Sequence, residues 1–189
     1  MICMIPQSYL QIKEATDISG FNMASNIDTC FLLRSLVCSK PNAHFLELGT
    51  GTGLATSFIL DGMDANSSLI SVDNDPKYLQ IAQQFLSNDK RLELVEMDGG
   101  DWLLQNETKN FDFIFADTWH GKYLMLDNAL NMLKIGGFYI IDDMLPQPNW
   151  PEGHDKKASK LTTILKSKNN FSIVELNWAS GIIIATRKF

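Results

Sequence analysis

The chain has 189 residues, 45% of them hydrophobic and 20% charged. That length and balance fit one globular domain with a sizeable core and exclude disorder as a whole-chain description. Sixteen Lys and Arg against 22 Asp and Glu leave a formal net charge of −6, which argues against a broad phosphate-binding face and so against a nucleic-acid partner.

The three cysteines, Cys3, Cys30 and Cys38, share no C-x-x-C spacing, so free thiols are expected rather than a disulfide framework. The opening MICMIPQSYLQIK has no basic segment ahead of its apolar cluster and does not read as a secretory signal. No apolar run approaches the ~20 residues of a membrane-spanning helix. A cytoplasmic protein without a membrane partner is the expectation.

Residues 1–40 form a helical prelude to a core over 41–189, within a single domain. In the prelude, Ser25 or Asn26 can cap a helix carrying Ile27, Phe31, Leu33, Leu36 and Val37. A short strand over 44–48 then leads into a glycine loop and a helix over 54–60. A strand over 69–73 is followed by a helix over 76–86 that opens on Pro76, a residue suited to a first helical turn. Strands over 92–96 and 111–116 come next, then a helix over 123–133 stopped by Gly136-Gly137. A strand over 138–141 and a helix over 156–166 complete the alternation. Strand–helix alternation at this spacing means a parallel sheet with helices on both faces, wound in one direction. The last two strands, over 172–176 and 182–187, are about five residues apart. That gap is too short for a crossover helix, so they pair as an antiparallel hairpin. Its exposed edge could pair with a second copy in a homodimer.

Glu47-Leu48-Gly49-Thr50-Gly51-Thr52-Gly53 follows the first strand and opens a helix. Glycines there allow a tight turn and close approach of backbone to a ligand. A second acid, Asp73, ends the next strand 22 residues after Gly51, where a carboxylate can hold ribose hydroxyls. A dinucleotide site would space its glycines as G-x-G-x-x-G and aim a helix N-terminus at pyrophosphate. Here the third glycine comes one residue early and the loop is flanked by carboxylates. That suits a ligand with a ribose, no phosphate and a positive charge, such as S-adenosylmethionine.

These motifs resemble class I S-adenosylmethionine-dependent methyltransferases. The glycine loop looks like their first motif, and Ser71-Val72-Asp73-Asn74-Asp75-Pro76 like the acidic motif after it. Met97-Asp98-Gly99-Gly100-Asp101 stands where that family contacts the adenine edge, and Phe111-Asp112-Phe113-Ile114-Phe115-Ala116-Asp117 matches its fourth strand. The resemblance implies a Rossmann-like seven-stranded sheet, five parallel strands plus the antiparallel hairpin. It implies cofactor contacts at Glu47, Gly49, Thr50, Gly51, Gly53, Asp73, Asn74, Asp98, Gly99, Asp117 and Trp119.

Asp117-Thr118-Trp119-His120-Gly121-Lys122-Tyr123 is similar to the D-x-W-K-x-x-Y segment of the catechol O-methyltransferase-like branch, and Asp142-Asp143 to that branch's Asp-Asn pair. The similarity implies a divalent cation such as Mg2+ on Asp117, Asp142 and Asp143, lowering the pKa of an acceptor hydroxyl. His120 stands in place of the family's lysine base, and a histidine can serve as base. Asp117 and His120 are therefore the candidate catalytic residues. A loop with three prolines, Trp150 and His154 follows and suits a substrate wall, with His154 a second acid/base candidate. Residues 20–25 resemble the segment laid over the cofactor's methionine end. The expected activity is methyl transfer to a hydroxyl of a small molecule. The alternatives are a methyltransferase acting on RNA or protein, a cofactor-binding protein without turnover, and a nicotinamide-dependent oxidoreductase.

Overall fold

The computed structural model describes residues 5–189, so Cys3 and the first four residues lie outside the description. Seven strands form one sheet: β1 (His44–Leu48), β2 (Ser68–Asp73), β3 (Leu92–Glu96), β4 (Phe111–Ala116), β5 (Leu133–Ile141), β6 (Phe171–Leu176) and β7 (Ile182–Arg187). Their order is β3-β2-β1-β4-β5-β7-β6. The first five pair in parallel, whereas β7 runs antiparallel to both β5 and β6. The Rossmann-like sheet of five parallel strands and a terminal hairpin is therefore as expected. The strand order reverses between β1 and β4, and open α/β sheets bind ligands in the crevice beyond such a point.

The helices are α1 (Gln7–Ser19), α2 (Ile27–Cys38), α3 (Leu54–Gly62), α4 (Pro76–Leu86), α5 (Gly99–Gln105), α6 (Leu126–Asn131) and α7 (His154–Lys166). Strand side chains alternate between faces, so the sheet feeds two cores. On one face Phe45, Phe113 and Phe115 pack with Ile12 of α1, Leu33 of α2, Phe58 of α3 and Ala82 of α4. On the other, Leu46, Leu48, Ile114 and Tyr139 pack with Trp102 of α5, Leu130 of α6 and Leu161 of α7. Phe45, Phe58, Phe113 and Phe115 are fully buried, each contributing roughly 2–3 kcal/mol of apolar burial.

Three expectations change. The helix over 123–133 shrinks to α6, because Gly121 and Met125 take positive φ and break the preceding segment into turns. Gly136-Gly137 do not stop a helix but lie within β5, at a register shift against β4. The Oδ1 of Asn26, rather than Ser25, caps α2 by accepting from the Asp28 N–H at 2.8 Å. Two helices lacked a local signal. Helix α1 buries only Tyr9, Ile12 and Thr16. Helix α5 starts on two glycines, poor helix formers, and is nucleated by Asp98, whose carboxylate accepts from the Gly100 and Asp101 N–H groups. Cys30 and Cys38 are free thiols. Among the described residues no helix is long and apolar enough to cross a membrane.

Candidate active site

Parallel strands deliver their C-terminal residues to one rim: Gly49 after β1, Asp73 ending β2, Asp98 after β3, Asp117 after β4, and Asp142-Asp143 after β5. A cavity of about 420 Å³ opens on this rim, lined by the glycine loop at one end and by the segments after β4 and β5 at the other.

The loop's shape is set from beneath. Glu47 is fully buried, and its Oε2 accepts from the hydroxyls of Ser71 at 2.5 Å and Thr56 at 2.6 Å. The Ser71 hydroxyl in turn meets Thr50 Oγ1 at 2.6 Å. Burial pushes the Glu47 carboxyl up to about 7 against those two donors, and its Oε1 has no partner. Above, Asp73 clamps the loop: its Oδ2 accepts the Gly51 N–H at 2.7 Å and its Oδ1 the Asp75 N–H at 2.9 Å. A carboxylate offers about four acceptor positions, so Asp73 keeps capacity toward the cavity it lines. Gly49 has φ +102, and a Cβ there would stand 2.7 Å from the Asp117 carbonyl oxygen. The β1–β4 crevice is therefore open only because this residue is glycine. Phe21 from the prelude covers Gly51 and stacks against Tyr78 at 4.5 Å between centroids.

At the other end, Ser25 donates to Asp117 Oδ2 at 3.0 Å. Asp142 is fully buried, its Oδ1 taken by the Asp143 N–H and by the Ser180 hydroxyl, its Oδ2 unpartnered. Burial and the neighbouring Asp142 hold the Asp117 carboxyl above its usual range, burial and Asp143 do the same for Asp142, and Lys122 opposes both rises. Lys122 is only 5% exposed and lines the cavity. Its backbone is held by Gly121, whose carbonyl accepts from the Tyr139 hydroxyl at 2.5 Å.

Beside Lys122 the Tyr123 hydroxyl and His154 Nε2 lie 2.9 Å apart. His154 packs edge-on to Trp119 and Tyr123 and tilts against Trp150 at 4.4 Å. Burial, then Lys122 and Lys157, lower the His154 pKa, so the ring is held neutral. Burial, then Asp143, push the Tyr123 phenol up to about 12. A neutral imidazole on a phenol is a proton acceptor within reach of a cavity-bound hydroxyl.

Of the residues singled out in the sequence, Gly49, Thr50, Gly51, Asp73, Asn74, Asp117, Trp119 and Asp143 line the cavity, as do Trp150 and His154 of the Pro-rich loop. Glu47 lies sealed under the loop. Gly53 caps α3, where a Cβ would press on Ala82. Asp98 caps α5, and His120 sits over Gly99 and Gly100, its Nδ1 3.6 Å from Asp98 Oδ2. Glu47, Gly53, Asp98, Gly99, His120 and Asp142 do not line the cavity. Tyr78 and Lys122 were missed. Lys122 was legible as the basic residue nearest the expected lysine, displaced by two positions.

The three-carboxylate cation site does not assemble: among the described residues no three His, Cys, Asp or Glu side chains form a metal-holding group. Asp142 is drawn back into the fold by Ser180 and its own neighbour's N–H, and Lys122 brings a positive charge into the cavity that Asp117 and Asp143 line. The residues present do not fit a divalent cation.

The methyltransferase domain family matches residues 46–144, just over half of the chain and all of the rim from β1 to β5. Catechol O-methyltransferase B of Danio rerio is 27% identical over 124 residues, 60% of this chain and 47% of that protein. The O-methyltransferase hkm8 of Aspergillus hancockii is 30% identical over 129 residues, 64% and 50% of the two chains. This chain spans between a third and a half of the length of the relatives it matches. The O-methyltransferase of Bacillus cereus, solved in complex with SAH, superposes over 100% of this chain and 94% of its own with a TM-score of 0.86 at 18% identity, a likeness of fold. With the matched segment running from β1 through the glycine loop to the acids after β5, the chain belongs to the methyltransferase domain family.

Proposed function

We propose that this protein is an S-adenosylmethionine-dependent O-methyltransferase acting on a hydroxyl of a small molecule. One observation carries the reading. A single cavity joins a glycine loop clamped by Asp73 to a chamber holding Lys122 and the Tyr123–His154 pair. The first end fits an adenosine-bearing sulfonium: Asp73 toward ribose, Gly49 and Gly51 allowing close approach, Trp119 along the adenosine, and no basic cluster for phosphate. The cofactor supplies a methyl group already activated on a sulfonium.

The chain's own work is then to orient the acceptor, exclude water and take a proton. The acceptor hydroxyl gives its proton to Tyr123 as the phenol proton passes to His154 Nε2. The freed oxygen pair forms the new C–O bond while the C–S pair returns to sulfur. Trp119 against Tyr123 and Trp150 against His154 wall that end with aromatic rings. His154 replaces His120 in this reading because it lines the cavity and His120 does not.

S-adenosylhomocysteine should raise the melting temperature of the protein, because a ligand preferring the native state stabilises it. Asp73→Ala should weaken its binding about 10–100-fold, the worth of hydrogen bonds to a charged group. Calorimetry with no heat for the wild type would remove the cofactor assignment. A screen of phenol, 4-hydroxybenzoate, catechol and 3,4-dihydroxybenzoate, read by S-adenosylhomocysteine release, tests the acceptor class. On an acceptor so found, His154→Gln and Tyr123→Phe should each lower kcat about 100-fold or more with little change in S-adenosylhomocysteine affinity. Since the neutral ring is the base, wild-type turnover should decline on the acid side, below about pH 6.5. Unchanged turnover in His154→Gln would remove the pair from the mechanism.

A further inference from the structure

Asp117 and Asp143 line the cavity at the ends of β4 and β5 with Asp142 buried behind them. Burial, then Asp142 and Asp143, raise the Asp117 carboxyl, and burial, then Asp143, raise that of Asp142. Burying like charges without compensation costs several kcal/mol, so a cation belongs here. The fold supplies one. The Lys122 side chain is buried, lines the cavity, and acts on all three carboxylates and on His154. Its Nζ stands 5.4 Å from the Tyr123 ring centroid, on the side of the proton-accepting pair.

Its position is fixed by the fold rather than chosen by the side chain. Gly121, at φ +83, packs so closely that a Cβ would meet Leu48 Cδ1 at 2.6 Å and the Tyr139 hydroxyl at 2.9 Å. The Gly121 N–H bonds the Leu124 carbonyl at 2.7 Å, and the N–H groups of Tyr123 and Leu124 both bond the Trp119 carbonyl. This closed turn aims residue 122, and not residue 120, at the cavity.

We propose that the Lys122 ammonium is the resident cation of the acceptor site, standing where a divalent ion would otherwise bind and holding the acceptor oxygen as its proton leaves. The proposal rests on the O-methyltransferase reading. An ammonium offers three donors around a point charge and needs one oxygen to engage, whereas a bound Mg2+ favours a chelating pair. The acceptor class that follows is a monohydroxy compound, with no neighbouring oxygen required.

The test is calorimetric titration of Mn2+ into the wild-type protein saturated with S-adenosylhomocysteine, and into Lys122→Met and Lys122→Gln. The wild type should show no saturable site below about 1 mM. Removing the ammonium leaves the carboxylates uncompensated, so at least one variant should gain Mn2+ affinity by about tenfold or more. A saturable micromolar site in the wild type overturns the proposal, and this readout stands even where neither variant folds. So does a pair of folded variants with no gain, because the ammonium is then not what excludes the ion. In the acceptor screen, 4-hydroxybenzoate turned over in chelator supports it. Turnover of catechols alone, and only with Mg2+, overturns it. Missing heat for S-adenosylhomocysteine defeats the underlying O-methyltransferase reading instead, and the Mn2+ titrations, repeated on the unliganded proteins, still report on Lys122.

Discussion

Gly49→Val should abolish S-adenosylhomocysteine binding and destabilise the fold by about 2–4 kcal/mol, combining strain at positive φ with overpacking. Two physical effects coincide at this position. The φ of +102 lies where side-chain-bearing residues are rarely found. A Cβ would also press on the backbone carbonyl of Asp117, which cannot turn aside as a flexible side chain could. The β1–β4 crevice must then widen or the glycine loop must lift, and either movement pulls Gly51 from Asp73. Gly136→Ala is the matched control. It carries the same kind of backbone strain at φ +76 but has nothing within 4 Å of the added carbon, so it should cost about 1 kcal/mol and leave binding intact. Denaturant unfolding and calorimetry on both variants separate strain from close approach. Binding by Gly49→Val within threefold of wild type would mean that the crevice is not the cofactor path.

Glu47→Gln should flatten the pH dependence of stability. The Glu47 carboxyl is raised from 4.5 to about 7 in the folded protein, so between those values the native state holds a proton that the unfolded chain releases. A group raised on folding contributes stability that is fully present below pH 4.5 and lost as pH climbs through 7. A shift of this size corresponds to about 3 kcal/mol, or roughly 6–12 °C in melting temperature for a chain of this length. The wild type should therefore lose thermal stability between about pH 4.5 and 7, with no further loss from this group above that range. The glutamine variant, which imitates the protonated acid and keeps one oxygen for Ser71 and Thr56, should lose much less. Parallel slopes for the two proteins would show that Glu47 is not the titrating group. The experiment also bears on the loop, since Glu47 reaches it through Ser71 and Thr50.

These two residues mark how far local pattern reaches. Both stand in a stretch whose short apolar run and glycine punctuation are visible without any structure, and both strand ends fall where expected. The same holds for Asp73, Asp117 and the Asp142-Asp143 pair. A strand's boundary is a local matter of period and breakers, and in a parallel sheet every boundary of one kind arrives at the same rim. Helix α5 was not legible, because its two leading glycines oppose a helix and only the Asp98 cap and the burial of Trp102 and Leu103 secure it. Helix α6 was overextended, because Met125 at positive φ interrupts a run whose apolar spacing continues through it.

Sequence by itself determined the seven strands and five of the seven described helices in chain order, the terminal hairpin, the glycine loop and the set of acids at strand ends, since each depends on neighbours a few positions away. Tertiary structure alone decided what those acids face. Ser180 reaches Asp142 from 38 residues along the chain because β7 inserts beside β5, and that contact withdraws the carboxylate from the cavity. Tyr139 holds the Gly121 turn across 18 residues, and that turn brings Lys122 in and leaves His120 out. Two positions at one tight turn separate a lysine that lines the cavity from a histidine that does not. That difference is invisible to spacing because it is set by packing against β5, not by the order of residues after β4.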